Sequence, residues 1–285
     1  MNNIKRIFLS LICISCWGAN FSLLKMGVKD LPPFYFTGLR LFFMGLLGVF
    51  FVQVPKKDWG KLVLLAFCLF GLPLGMTTYA VVEMDASLVA LLTELEVPFA
   101  LLLGVIFLKE NLNKMQIFGL VLSFLGIYMV SQSPEISIKN LYSFFAVLLA
   151  ALSYAIAFIL TKYISLDSAS MTIWSCILAS PLSLLLSVLF KEPSHPILPT
   201  SNSGMMSFLI SSVFSLIGFT LWNKLLKEFK VSQVVPLAML VPISSLIFSY
   251  ILLNEQTHTL ALVGGGITLV GVYFQTKEKN NGLST

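Results

Sequence analysis

The chain has 285 residues, 57% hydrophobic and only 11% charged, with a mean hydropathy of +0.92. A water-soluble domain carries roughly 25% charge, so this composition excludes a surface wetted all round, and the excess apolar area must face lipid. The net charge of +5 does not point to nucleic acid, because the basic residues sit in short gaps between apolar runs.

A bilayer-crossing helix needs about 20 apolar residues. Ten runs meet or approach that length: about 7–27, 34–54, 61–82, 86–108, 115–132, 141–163, 170–190, 205–225, 232–252 and 259–275. They are too long, and too poor in alternation, to be barrel strands. The first run follows Lys5-Arg6 and continues past Trp17 to Met26 with no small-x-small cleavage site. It therefore reads as a retained span rather than a signal peptide. It carries Trp17 and Asn20; the second run carries Arg40 and the third Tyr79.

The fourth run holds the sharpest signal, Glu94 and Glu96 in Leu91-Leu92-Thr93-Glu94-Leu95-Glu96-Val97-Pro98. Counting from Ala86 at about 1.5 Å per residue, they lie roughly 12–15 Å below the surface. A charge at that depth costs about 3 kcal/mol or more. Each must face a cavity or a partner, or carry a proton. Residues i and i+2 lie about 200° apart on a regular helix, so both can face one cavity only where the helix is irregular. Pro98 supplies such a point, because it cannot donate to the Glu94 carbonyl.

The fifth and tenth runs are short and glycine-rich. The seven-residue spacing of Gly119 and Gly126, and of Gly264 and Gly271, puts small residues on nearly one face, which permits close helix approach. The eighth run carries Trp222 and Asn223. The ninth is interrupted by Pro236 and Pro242, as the fourth is by Pro98. Paired interruptions in corresponding spans point to a binding site. Glu94, Glu96, Arg40, Asn20, Trp17, Tyr79, Trp222 and Asn223 are thus the candidates for substrate binding or proton coupling. Each has a plainer alternative: interface anchoring for Trp and Tyr, interhelical bonding for Asn, and a helix-end carbonyl or glutamate partner for Arg40.

Cys13, Cys16, Cys68 and Cys176 all lie within apolar runs, and the Cys13–Cys16 spacing has no second pair beside it, so it reads as packing. His195 and His258 fall in loops. No metal or cofactor is expected. The chain has no G-x-S-x-G, H-E-x-x-H or Walker motif, so an enzyme is not expected either.

The two halves echo one another. Glu110, Gly119, Gly126 and Tyr128 recur at constant offset as Glu255, Gly264, Gly271 and Tyr273. Trp17, Phe21, Leu23 and Lys25 recur as Tyr154, Phe158, Leu160 and Lys162. The expected organisation is a duplication, residues 1–133 and 134–285, each with five spans. With the N-terminus in the cytoplasm, thirteen Lys and Arg fall on that side. Lys25, Lys29, Lys139 and Lys191 fall outside, and Arg40 lies within a span. That bias places both termini inside. Five spans per half invert the second copy, the arrangement that gives two access states of similar energy around a midplane site. The expected fold is an all-α membrane protein of ten transmembrane helices in two inverted five-helix repeats.

Trp17-Gly18-Ala19-Asn20-Phe21, Pro33 with Arg40, Pro98 through Glu110 and Pro242 through Glu255 together resemble the signatures of the drug/metabolite transporter superfamily, in its ten-helix EamA-type branch. Val234-Val235-Pro236-Leu237, Val241-Pro242 and Leu253-Asn254-Glu255 are most similar to the exporters of O-acetylserine and cysteine in that branch. The resemblance implies a bacterial inner-membrane exporter whose central cavity is lined by spans one, three, four, six, eight and nine. Glu94-Leu95-Glu96 stands where those exporters carry neutral amides. The expected activity is secondary active export of amino acids or their derivatives by alternating access. The alternatives are uptake of a cationic metabolite such as S-adenosylmethionine, or a membrane channel or sensor. The expected partners are a small-molecule substrate, protons and the lipid bilayer, with no nucleic acid; a homodimer is one candidate assembly.

Overall fold

The computed structural model describes residues 3–55, 57–108, 112–132, 140–161, 163–194, 196–228, 237–238 and 240–275. Among them every regular element is helical. The helices are α1 Asn3–Gly27, α2 Pro33–Gly48, α3 Trp59–Ala66, α4 Leu72–Ala80, α5 Ala86–Thr93, α6 Glu96–Leu108 and α7 Lys114–Ser131. They continue as α8 Leu141–Thr161, α9 Ser168–Leu189, α10 Asn202–Glu228, α11 Val241–Leu253 and α12 Thr259–Gln275. A 3₁₀ turn, Val49–Phe51, extends α2, and a π-helical turn, Phe67–Gly71, fuses α3 to α4.

Seven helical stretches are long and apolar enough to cross a membrane: Lys5–Gly27, Pro33–Phe51, Trp59–Ala80, Ala86–Phe107, Leu141–Thr161, Ser168–Leu189 and Asn202–Leu225. Lys114–Val130, Val241–Leu253 and Thr259–Gln275 are apolar but shorter. The first and last of these are the fifth and tenth runs, expected to be short; the ninth run, expected over 232–252, is helical from Val241 and falls short of a full span among the described residues.

Helix ends are satisfied from a distance. The Glu192 carboxylate accepts from the amides of Phe34 (2.8 Å) and Tyr35 (3.0 Å), closing the first turn of α2 behind Pro33. Asp30 accepts from the Ser201 amide (2.8 Å) and hydroxyl (2.7 Å) beside the start of α10. Those bonds, the hydroxyl foremost, hold its carboxyl below the usual range. Asn113 and Gln116 form a reciprocal capping box on α7. The π turn precedes Pro73, whose missing N–H removes one ladder bond there. Its spare carbonyls take hydroxyls from neighbouring helices, Ser153 to Cys68 O (2.9 Å) and Ser183 to Gly71 O (3.2 Å). All four cysteines are free and buried.

The packing is paired. α2 lies on α9 and α7 on α12; α1 contacts α10 and α11, α8 contacts α4 and α6, and α5 contacts α11. The α7–α12 seam is backbone against backbone. A Cβ on Gly126 would sit 2.6 Å from Gly264 O, and one on Gly264 would sit 2.7 Å from Gly126 O. Gly119 and Gly271 face each other in the same way one turn pair along the seam. These are the four glycines of the sequence echo. Polar bonds cross the same seam, Gln275 Nε2 to Ser123 Oγ at 2.7 Å and Ser123 Oγ to Thr268 O at 3.3 Å. Gly126→Leu should force the helices apart and cost about 1–3 kcal/mol. Thermal unfolding in detergent should show a midpoint several degrees lower; an unchanged midpoint would contradict the close seam.

Candidate functional site

α1 presents Trp17, Asn20, Phe21 and Leu24 along one face, at the three- and four-residue steps that align on a helix. α8 presents Tyr154, Phe158 and Thr161 in the same way. These faces border one cavity with a free volume of about 980 Å³, open mouth included. Leu69, Leu74 and Thr77 from the π turn and α4 also line it, with Thr93, Glu94 and Glu96, then Phe219, Trp222 and Asn223 of α10, and Ala238 and Val241. In span terms these are one, three, four, six, eight and nine, the set implied by the resemblance.

Both carboxylates reach the cavity because the helix is broken between them. α5 stops at Thr93 and α6 begins at Glu96. The turn tightens to i→i−3 bonding: Glu94 N to Leu91 O (3.3 Å), Leu95 N to Leu92 O (3.2 Å) and Val97 N to Glu94 O (3.1 Å). Val97 thus takes the Glu94 carbonyl that Pro98 cannot. The tighter winding, about three residues per turn, brings the two side chains from about 160° to about 120° apart, and both border the cavity. Glu94 is 6% exposed, and its Oε2 has no hydrogen-bonding partner among the described residues.

An aromatic cluster lines the same cavity as the acids. The Trp17 ring lies 5.1 Å from Trp222 and 5.4 Å from Phe219, centroid to centroid. It fits because Gly218 has no side chain: a Cβ there would sit 2.6 Å from Trp17 Nε1. That Nε1 donor is itself unpartnered among the described residues.

Arg40 lies behind the cavity wall and not on it. It is 1% exposed and stacks over the Phe36 ring at 5.7 Å. One terminal nitrogen donates to Ser215 Oγ (2.7 Å), Ser211 O (3.0 Å) and Asn20 Oδ1 (3.3 Å). Asn20 also donates to Ser215 (2.7 Å), so the cation fixes the orientation of an amide that does line the cavity. No ion pair joins Arg40 to a glutamate among the described residues. Asn223 donates to Thr172 (3.0 Å) while bordering the cavity. Tyr79 is not among the lining residues and stacks on Phe34 instead, at 6.1 Å. Pro98 lies in the first turn of α6 and Pro242 in the first turn of α11. Pro236 lies outside the described residues.

Tyr154, Phe158, Phe219, Thr77 and Thr93 were not singled out as site residues from the sequence. The first two carried a usable signal: they repeat Trp17 and Phe21, and the repeat brings both pairs to the same cavity.

One residue beyond Leu24, a charged cluster ties the ends of the helices together. Lys25 Nζ meets Glu255 Oε1 at 2.5 Å, Asp85 Oδ1 at 3.5 Å and Met84 O at 2.9 Å. Glu255 Oε2 accepts from the Ala86 amide (3.0 Å) at the start of α5, and Ser87 and Thr257 hydroxyls meet at 2.7 Å. Burial, opposed by Lys25, holds the Glu255 carboxyl above its usual range.

The chain matches the model of the EamA-like transporter family over residues 4–132 and again over 141–276. It is 28% identical to the "Probable amino-acid metabolite efflux pump" of Salmonella typhimurium and 26% identical to that of Escherichia coli. The matches cover 93% of this chain and 93% and 92% of those proteins. It is 26% identical to the "Uncharacterized transporter YoaV" of Bacillus subtilis, over 95% of this chain and 97% of that one. A solved crystal structure, 16% identical, superposes with a TM-score of 0.69 over 95% of each chain, which shows the shared fold.

Proposed function

We propose that this chain, which belongs to the EamA-like transporter family, exports amino acids or their derivatives by secondary active, alternating-access transport. It is a multi-pass membrane protein, and its relatives are named as transporters and efflux pumps rather than enzymes. The finer topology is our reading: ten spans, with both termini in the cytoplasm of a bacterium and the protein in its inner membrane. The three shorter helices complete the count, and residues 1–133 and 134–285 form inverted repeats.

Two observations support the repeat. The family model matches twice, end to end. The principal helix pairs also correspond when the halves are exchanged. α2–α9 and α7–α12 map onto themselves, α1–α10 onto α4–α8, and α1–α11 onto α6–α8. Such a bundle has two related arrangements around one central cavity.

The helix break at Glu94-Leu95, which turns two deep carboxylates into that cavity, carries the functional reading. Acids at this depth are expensive unless they take a proton or a cationic group. In our reading one of them accepts the substrate amine and the other the coupling proton. The same pair also favours the second reading, uptake of a cationic metabolite such as S-adenosylmethionine. Purified protein in proteoliposomes discriminates the readings. Export predicts saturable counterflow of labelled amino acids or derivatives that responds to an imposed pH gradient. Saturable uptake of adenosyl cations alone would favour the second, and no saturable exchange of any of these would overturn both.

A further inference from the structure

We infer that the cavity selects an amine with no free carboxylate, an amino-acid derivative that is decarboxylated, esterified or amidated and has an apolar or aromatic body. This rests on the reading that substrate occupies the Glu94–Glu96 cavity.

Among the described lining residues, two side chains are acidic and none is Lys, Arg or His. Two cations lie close to the cavity without bordering it, Lys25 one residue beyond Leu24 and Arg40 behind Asn20. Lys25 is held by Glu255, Asp85 and the Met84 carbonyl. Arg40 is 1% exposed and is not among the lining residues; one terminal nitrogen serves three acceptors, its Nε and other terminal nitrogen are buried without a partner among the described residues, and Asn20 stands between it and the cavity. Neither presents a cationic fork at the cavity surface, where a ligand carboxylate would have to meet it.

The groups that border the cavity point the other way. Glu94 Oε2 is buried without a donor, a state that an arriving ammonium relieves. Trp17, Trp222 and Tyr154 supply ring faces of the kind that attract cations. Phe21, Phe158 and Phe219 enclose an apolar body beside them. A zwitterion would satisfy the acids with its ammonium but bring a third carboxylate into the same space with no counter-ion, which burial penalises strongly. An ester, an amide or the bare amine avoids that cost. The likeness to amino-acid metabolite pumps and the two acids are then compatible: the cargo keeps the amine of an amino acid and has lost its acid.

The test uses the full chain purified in detergent and a matched series: phenethylamine, phenylalanine methyl ester and phenylalanine, titrated by calorimetry. The amine and the ester are expected to bind at least tenfold more tightly than the free acid. Glu94→Gln and Glu96→Gln should weaken the amine and leave the faint binding of the acid unchanged. Trp17→Leu should weaken the amine at least fivefold, which keeps the test open should a glutamate variant fail to fold. Equal or tighter binding of phenylalanine would overturn the inference. Binding of the amine that is insensitive to all three substitutions would overturn it as well. Proteoliposomes separate the two readings. Exchange of free amino acids without any exchange of amines would leave the transporter reading standing and sink this one. Absence of exchange for every compound would sink both.

Discussion

Glu94→Gln and Glu96→Gln are each expected to lower metabolite flux in proteoliposomes by roughly ten- to a hundredfold. That is the scale of losing one charged hydrogen bond, about 1.5–3 kcal/mol. Glutamine keeps the size and removes the charge, so the loss reports charge rather than shape. The variants should differ in kind. Glu94, with Oε2 buried and unpartnered, is the site where a ligand donor gains most, so its loss should raise the half-saturating concentration. Glu96 opens α6 and is half-buried, closer in character to a group that exchanges protons with water. Its loss should flatten the response to an imposed pH gradient. Unaltered flux in both variants, with protein folded by circular dichroism, would remove these carboxylates from the mechanism.

The second large effect is expected at the Lys25 cluster. Lys25 belongs to the first half and Glu255 to the second, and their contact sits one residue beyond the cavity-lining Leu24. It joins α1 and α5 to the loop after α11, across the boundary that must part for access from that face. In the proposed orientation this is the outer face. Coupling between two arrangements is typically worth roughly 1–3 kcal/mol, or 5- to 150-fold in population. Lys25→Ala should therefore favour the outward-open form. The readout is Leu24→Cys labelled by an impermeant maleimide added outside, in a background where the four buried cysteines are replaced by alanine. Labelling should rise about tenfold in Lys25→Ala. The double reversal Lys25→Glu with Glu255→Lys should bring it most of the way back. A rate that stays low in Lys25→Ala would show that the contact is not a latch. Acid should loosen the same contact. Glu255 is held above its usual range by burial, so the ion pair exists above that raised pKa and is lost as pH falls through it. Lys25 on α1 and Asp85 before α5 are the charged groups that face it.

Much of this was legible in the sequence, and for physical reasons. Hydrophobic run length reports burial in lipid directly, so the helical membrane fold followed from composition and spacing. The glycines of the echo were legible as an approach surface because only a missing Cβ permits backbone contact. Their pairing partner was not, since spacing marks a face without saying what covers it. Glu94 and Glu96 stood out through the cost of charge in an apolar run, and Pro98 announced the break that lets both face inward. Arg40 stood out by the same cost but is held behind the wall by Asn20, Ser211 and Ser215. Serines are too common in such helices to mark a binding network beforehand. Tyr79 and Thr77 lie two residues apart on one helix, and the residue that reached the cavity was the less conspicuous of them. A single tyrosine carries no phase, whereas Trp17, Phe21, Tyr154 and Phe158 did, by repetition.

Both carboxylates belong to one half, while Tyr154, Phe158, Phe219, Trp222 and Asn223 come from the other. In the proposed alternating-access cycle, a ligand anchored on Glu94 or Glu96 would stay with the first half while the second half moves past it. On that proposal, occupancy from one face would preclude occupancy from the other, because the same two acids would be presented by turns. On the same proposal, one constellation would serve both faces, so the site itself would build in no preferred side. The direction of net movement is then set by the gradients of cargo and coupling ion rather than by the architecture of the site.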